Sequence, residues 1–523
     1  MTTGLWQLVR LQWRTSRGML LVAPALLAAL VTAVAGSIAS LYPQQEQRDV
    51  YRQTMGASPA AAAFNGRGHD LEHLGGIVAY EVGFMGQLAL PIIGLVMAVR
   101  LTRRLEDAGI LELVTSGRVA RTAVPLAAAL SSTGAWLLFW VLSAVGLVVQ
   151  DFPTSGSLRY ATVMALFGLA FSAAGLLLGQ AAATARSATA AGMALILTAF
   201  LVRAVVDGRN TSWTWASPMG WVAEAHPWGA WRWWPVLAFA ALTLALASGA
   251  VGLAARRDLG AGLLAPRPGR PTAGGRLATP LGLAWRLGAA GLLGWGLGAV
   301  AWAAAIGSMS QEFVDVVEAN PSLAEAFGGD ANRLSVVLAL LLTQVMAMAA
   351  GLGLVLRLGA EEISGRMGLL HAGRLPRLRW WLAFTGLALT GSTAASVASS
   401  ATLGLVQARV MDRPEVADDP LRAAAWLLAP TLLVVAFGAL LVAVAPRWRA
   451  LAWLPVAWVA VVGIVGEPLR LPEWARDLPP LHLVGQVPME AASRPATTAL
   501  ATAVLAALAV GLWGSERRDL ARG

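Results

Sequence analysis

The chain has 523 residues, of which 57% are hydrophobic and 13% charged, with a formal net charge of +10; an ordinary soluble domain carries roughly 25% charged residues. It holds no Cys, which excludes a disulfide framework, a thiol nucleophile and a thiolate metal site, and its five His are scattered too widely to suggest a metal centre. All 39 basic residues are Arg, so neither a phosphate-gripping G-x-x-x-x-G-K-[ST] loop nor a Schiff-base Lys can form.

Crossing a hydrocarbon core of about 30 Å takes roughly 20 helical residues, and apolar runs of that length recur throughout. In chain order they predict spans at 19–41, 77–100, 122–150, 160–183, 188–206, 234–255, 286–308, 334–357, 379–408, 421–445, 449–466 and 497–514. The runs are continuous rather than alternating at period two, which favours helices over a barrel. The expected fold class is therefore an all-α polytopic membrane protein of twelve transmembrane helices. Ahead of the first span, Leu5, Trp6, Leu8, Val9, Leu11 and Trp13 interleave with Gln7, Arg10, Gln12 and Arg14, the pattern of an interfacial helix leading into the bilayer. The apolar run from Met19 is longer than the roughly 7–15 residues of a signal-peptide core, so it reads as a retained span.

Charge is split between the two sides of these spans. The side bearing the N-terminus, the central linker and the C-terminus has 25 Arg and 8 acids, a net of 25 − 8 = +17. The other side has 14 Arg and 21 acids, a net of 14 − 21 = −7. The positive-inside rule then places both termini in the cytoplasm. The basicity expresses topology and implies no nucleic-acid partner. Longer loops are expected outside, at 42–76, 207–233, 309–333 and 467–496, the 207–233 loop being dense in Trp and Pro.

The sequence repeats itself. Glu106-x-x-Gly109-x-x-x-Leu113-Val114-x-x-Gly117-Arg118-x-x-Arg121 recurs 256 positions on as Glu362-x-x-Gly365-x-x-x-Leu369-Leu370-x-x-Gly373-Arg374-x-x-Arg377. Arg256-Arg257-Asp258-Leu259 recurs as Arg517-Arg518-Asp519-Leu520, and Leu158-Arg159 with Gly175 as Leu421-Arg422 with Gly438. Six spans per copy give both copies one orientation, so they are parallel repeats about an axis along the membrane normal. The expected organisation is a first half at 1–255, a basic Pro/Gly-rich cytoplasmic linker at 256–281, and a second half at 282–523.

Each motif copy reads as a short helix lying along the membrane, about 104–117 and 360–373. Leu105, Ala108, Gly109, Glu112 and Leu113 then share a face at three- and four-residue spacing. Gly109 and Gly117 remove side chains where another backbone comes close, and Glu362, Gly365, Leu369 and Gly373 repeat the arrangement. Paired helices of this kind form a two-fold docking platform.

The repeated Glu-x-x-Gly…Gly-Arg-x-x-Arg loop after the second span resembles the coupling helix of ABC-2 type ABC-transporter permeases. The doubled chain with its basic linker is similar to actinobacterial exporters of polyketide antibiotics, tetronasin-type permeases included, although that family often carries Pro where this chain has Gly117 and Gly373. The resemblance implies a type V, ABCG-like exporter fold. It implies two copies of a cytoplasmic ABC ATPase as partners, holding the ATP and Mg, with no cofactor or metal on this chain and an amphipathic small molecule as cargo. It also implies a multi-pass protein of the bacterial cell membrane whose second and fifth spans in each half line the path. Those spans offer Phe84, Met85, Gln87, Met193, Phe200, Gln344, Met346, Met348 and Trp453, polarizable and aromatic surfaces suited to varied apolar ligands. A proton-coupled carrier of six plus six helices is the rival. It would want carboxylates at mid-membrane depth, whereas Glu81 lies near a span's outer end. An intramembrane enzyme would need a clustered catalytic set, and none is evident in the spans.

Overall fold

A computed structural model describes residues 4–115, 119–258, 274–318, 331–365, 376–465 and 472–517, with Gly262, Thr272 and Met367. Gly117, Leu369, Gly373 and half of 256–281 lie outside the described residues. The chain divides into two compact units, Met1–Gly269 and Arg270–Gly523, and the described secondary structure is helical throughout.

In the first unit the long helices are α1 (Leu5–Leu41), α2 (Leu74–Leu101), α3 (Ala123–Val149), α4 (Thr154–Ala181), α5 (Ala185–Gly208) and α6 (Trp234–Arg256). Those of the second are α7 (Pro280–Ser308), α8 (Ala331–Ile363), α9 (Arg377–Val410), α10 (Asp419–Val444), α11 (Trp453–Val465) and α12 (Arg494–Arg517). Among the described residues, eleven helices are long and apolar enough to cross a membrane. The segment expected to span at 449–466 differs. It opens with a 3-10 turn over Pro446–Ala452 and continues as the 13-residue α11, which at 1.5 Å per residue reaches only about 20 Å.

The N-terminal amphipathic stretch and the first apolar run form one helix, broken at Ser16, where φ is −119° and ψ 16°. That kink separates the amphipathic segment from the apolar run that follows. Buried Gln12 ties this segment down: its amide donates to the Leu101 carbonyl (3.2 Å) and accepts from the Ser131 hydroxyl (2.8 Å).

The two units pack their helices in matching pairs. In the first, α1 lies on α2 and α3, α2 on α4 and α5, and α4 on α3 and α6. In the second, α7 lies on α8 and α9, α8 on α10 and α11, and α10 on α9 and α12. The most buried helices, α2 and α4, α8 and α10, pack through small residues as membrane helices do. A Cβ at Gly175 would sit 2.8 Å from the Leu95 carbonyl oxygen, and one at Gly168 would lie 2.3 Å from the Trp136 ring. Gly175 and Gly179 thus mark a close crossing, whereas Gly294, in the similar spacing Gly294-x-x-x-Gly298, meets nothing within 4 Å among the described residues. Exposed Leu195, Leu197, Leu237 and Leu244 give α5 and α6 apolar outer faces, as a hydrocarbon solvent requires.

Candidate functional site

The repeated motif does not build one continuous helix. After α2 the chain turns at Thr102, forms a five-residue helix at Arg103–Asp107, breaks at Gly109 and resumes as Ile110–Thr115. Gly109 has φ +71°, and Gly365 in the second copy has φ +74°. Each donates its N–H to the carbonyl of the motif Glu, Glu106 or Glu362, at 2.9 Å. Among the described residues, a Cβ built on either glycine would meet nothing within 4 Å. Within the chain, then, each glycine serves a left-handed turn rather than a close crossing of described helices, and other L-residues lose about 1–2 kcal/mol there. Gly109→Ala and Gly109→Trp should thus lower the thermal midpoint by similar amounts, and Gly109→Asn by less. A loss that grows with side-chain size would restore the steric account.

The break also redistributes the motif's side chains. Leu111 turns inward and joins Leu8, Ala123, Val124 and Ala127 in an apolar cluster, with Leu5 and Val9 of the interfacial segment packed against it. Ile110, Glu112 and Leu113 turn outward, Leu113 being 77% exposed.

Glu106, expected to face a partner, is buried. Its carboxylate accepts two hydrogen bonds from the Arg257 guanidinium, at 2.8 and 2.5 Å, and lies 3.3 Å from Arg103. Arg257 also donates to the Gln180 side-chain oxygen at 2.9 Å. Asp107 pairs with Arg103 at 3.3 Å and accepts from the Ala185 N–H that opens α5, at 2.7 Å. The ends of α2, α4 and α6 and the start of α5 are thereby joined through one ionic cluster. Two landmarks that repeat separately in sequence, the motif Glu and the Arg-Arg-Asp after the sixth span, turn out to be partners.

The second unit repeats the recess. Glu106, Leu111, Arg121 and Val124 line a cavity with Thr102, Gln180 and Ala254. Glu362, Met367, Arg377 and Trp380 line its counterpart with Leu358, Ala443 and Ser515. The first four of each set are 256 positions apart. Glu362 is buried like Glu106, and Glu361 beside it pairs with Arg357 at 3.0 Å. The Arg518 that matches Arg257 lies outside the described residues.

The candidate path residues are dispersed. Phe84 and Phe200 meet edge-on at 5.7 Å, and Phe64 stacks on Phe84 at 3.9 Å. Gln87 lies beneath them, donating to the Asn65 carbonyl at 3.4 Å. Met85 is half-buried on α2 and Met193 exposed on α5. In the second unit Gln344 is fully buried and serves packing. Its amide donates to Ser396 (2.9 Å) while its oxygen accepts from Thr431 (2.9 Å), which clamps α8 to α9 and α10. Met348 belongs to the apolar core. Met346 is half-buried and Trp453 exposed.

A buried cation in α5 escaped the sequence reading. Arg203 donates to the carbonyls of Ala62 (3.1 Å) and Phe64 (2.9 Å), and its guanidinium lies over the Phe200 ring. Asp207 is 3.9 Å from it and 3.3 Å from Arg67. An Arg inside an apolar run was the available signal, because ionisable residues at membrane depth have partners or functions. Nearby, Tyr51 of the short helix Gln45–Thr54 donates to Glu81. Burial first, then the Glu81 charge, holds the Tyr51 hydroxyl well above its ordinary pKa, so it stays protonated.

Residues 277–515 match the C-terminal domain of the multidrug efflux system permease Rv1217c. The whole multidrug efflux system permease protein Rv1217c of Mycobacterium tuberculosis (strain ATCC 25618 / H37Rv) is 31% identical over 497 residues, covering 93% of this chain and 89% of the relative.

Proposed function

The chain belongs to the multidrug efflux permease family that includes Rv1217c, and on that premise we propose that it is the membrane part of an ATP-binding cassette exporter of amphipathic small molecules. In this reading twelve spans form a tandem parallel repeat with the type V exporter fold, both termini cytoplasmic. Two copies of a separate cytoplasmic ATPase bind ATP and Mg and dock on the two motif copies. The observation that carries it is the motif's geometry. Each copy has a buried Glu followed by a left-handed Gly, so the segment is set rigidly on the helix ends. In the first copy that arrangement presents Ile110, Glu112 and Leu113 outward, a short apolar-centred surface suited to a groove on a partner. The interfacial segment of α1 packs on the same motif, so movement imposed there reaches α1 and α2 together.

The test uses inverted membrane vesicles carrying the chain with its partner ATPase. Uptake of a fluorescent amphipathic dye should require ATP and survive collapse of the proton gradient. Uptake driven by an imposed pH gradient without ATP would replace this reading with that of a proton-coupled carrier. Leu113→Asp should leave the chain folded but lower recovery of the ATPase on co-purification at least tenfold, and unchanged recovery would remove the motif from the interface.

A further inference from the structure

Away from the motif, in the first unit, the fold brings together side chains that lie far apart in sequence. His69 sits in the connection between the short helix Pro59–Asn65 and α2, and His226 just beyond the short helix Trp221–Glu224. One ligand atom each from His69, Glu224 and His226 lies within 4.8 Å of the others, all three residues being half-buried. His69 Nε2 is 3.6 Å from Glu224 Oε1, close to the separation of two ligands on one tetrahedral ion with bonds of about 2.0–2.2 Å. The two imidazole rings lie 4.1 Å apart between centroids.

Three further observations point to a ligand. The buried Nε2 atom of His226 makes no hydrogen bond among the described residues, although buried polar atoms ordinarily find partners, and that of His69 faces the Glu224 carboxylate. His226 Nδ1 is 3.4 Å from Asp70 Oδ1, the carboxylate contact that fixes an imidazole with its other nitrogen aimed at a metal. Asp70 and His226 both hold left-handed backbone, φ 58° and 47°, a conformation uncommon outside Gly and concentrated at ligand sites. The neighbouring cations are already engaged: Arg232 with Glu224 Oε2 at 3.0 Å, and Arg67 with Asp207.

The geometry points to a site for a divalent transition metal, Zn2+ foremost, held by His69, His226 and Glu224 with Asp70 as the orienting residue. Imidazole nitrogen favours Zn2+, Cu2+ or Ni2+ over Mg2+ or Ca2+, and three protein ligands leave a fourth position for water. The ion clips the loop before α2 to the turn after Trp221–Glu224. Among the described residues, the second unit shows no comparable group.

The experiment uses the full chain, purified by a tag without histidine, stripped with EDTA and kept in detergent. Titration with Co2+ should give visible d–d absorption saturating at about one ion per chain, which Zn2+ then abolishes. His69→Ala and His226→Ala should lose the band. Asp70→Asn should weaken binding about 10–100-fold, and His73→Ala, exposed and outside the cluster, should leave it unchanged. Zn2+ should raise the thermal midpoint of the native chain but not of Glu224→Gln, which keeps the side-chain shape. Absence of a saturable band in the native chain, or an equal band in the His69→Ala and His226→Ala variants, would overturn the assignment.

Discussion

Glu106→Gln should be among the most damaging single substitutions in the chain. The carboxylate meets Arg257 through two hydrogen bonds and Arg103 at 3.3 Å. Arg103 is 1% exposed, so removing the negative charge takes a carboxylate from a buried cation, leaving Asp107 to pair with it, and from Arg257. Breaking a buried pair by deleting one partner costs about 3–5 kcal/mol. The expected result is a large fall in the thermal midpoint of the purified chain, followed by tryptophan fluorescence. Glu112→Gln provides the contrast: Glu112 is exposed, and exposed pairs contribute about 0–1 kcal/mol. Adding Arg257→Gln to Glu106→Gln should cost less than the sum of the two single changes, since both remove the same paired contact. Arg103 stays in place, so the recovery is partial. Equal midpoints for Glu106→Gln and Glu112→Gln would mean that the cluster is not what joins the helix ends.

The duplication was legible because charged and small residues recur in register within an apolar background, where chance repeats only the apolar ones. A division of the first helix was legible too, since interleaved Trp and Arg precede the long apolar run and the helix breaks at Ser16. What those polar residues do was not. Glu106 and Arg257 are separated by 151 positions, and only folding shows that one repeated landmark exists to neutralise the other. A Gly at a fixed place is compatible with a close crossing or with a left-handed turn. Gly175 lies at a close crossing and Gly109 in a left-handed turn. Gln344 illustrates the same degeneracy, because an amide in a span suits a ligand or two hydroxyls equally well, and here Ser396 and Thr431 take it. His69 and His226 looked scattered because the loops carrying them have no periodicity from which a meeting could be read.

Arg203→Met should release the segment that covers the Phe84–Phe200 contact. Arg203 is fully buried, and its guanidinium bonds two carbonyls near the C-terminal end, Ala62 and Phe64, of the short helix Pro59–Asn65. That helix has its own cap, Ser58 accepting from the Ala61 N–H at 3.1 Å, but seven residues are too few to hold a helix in place without tertiary support. Met fills the volume and supplies no donor. It leaves the two carbonyls without the cation and Asp207 with Arg67 as its remaining ionic partner among the described residues, at a cost of about 3–5 kcal/mol if the pair behaves as a buried one. Because the chain has no Cys, a single Ala61→Cys reports the outcome directly. Ala61 is fully buried, so the thiol should resist a membrane-impermeant maleimide in the parent and react at least tenfold faster in the Arg203→Met background. Arg203→Lys should fall between the two, since an ammonium is a point charge without the planar fork that reaches both carbonyls at once. If Ala61→Cys stays protected when Arg203 is Met, apolar packing alone holds the segment, and the buried cation must be there to neutralise Asp207.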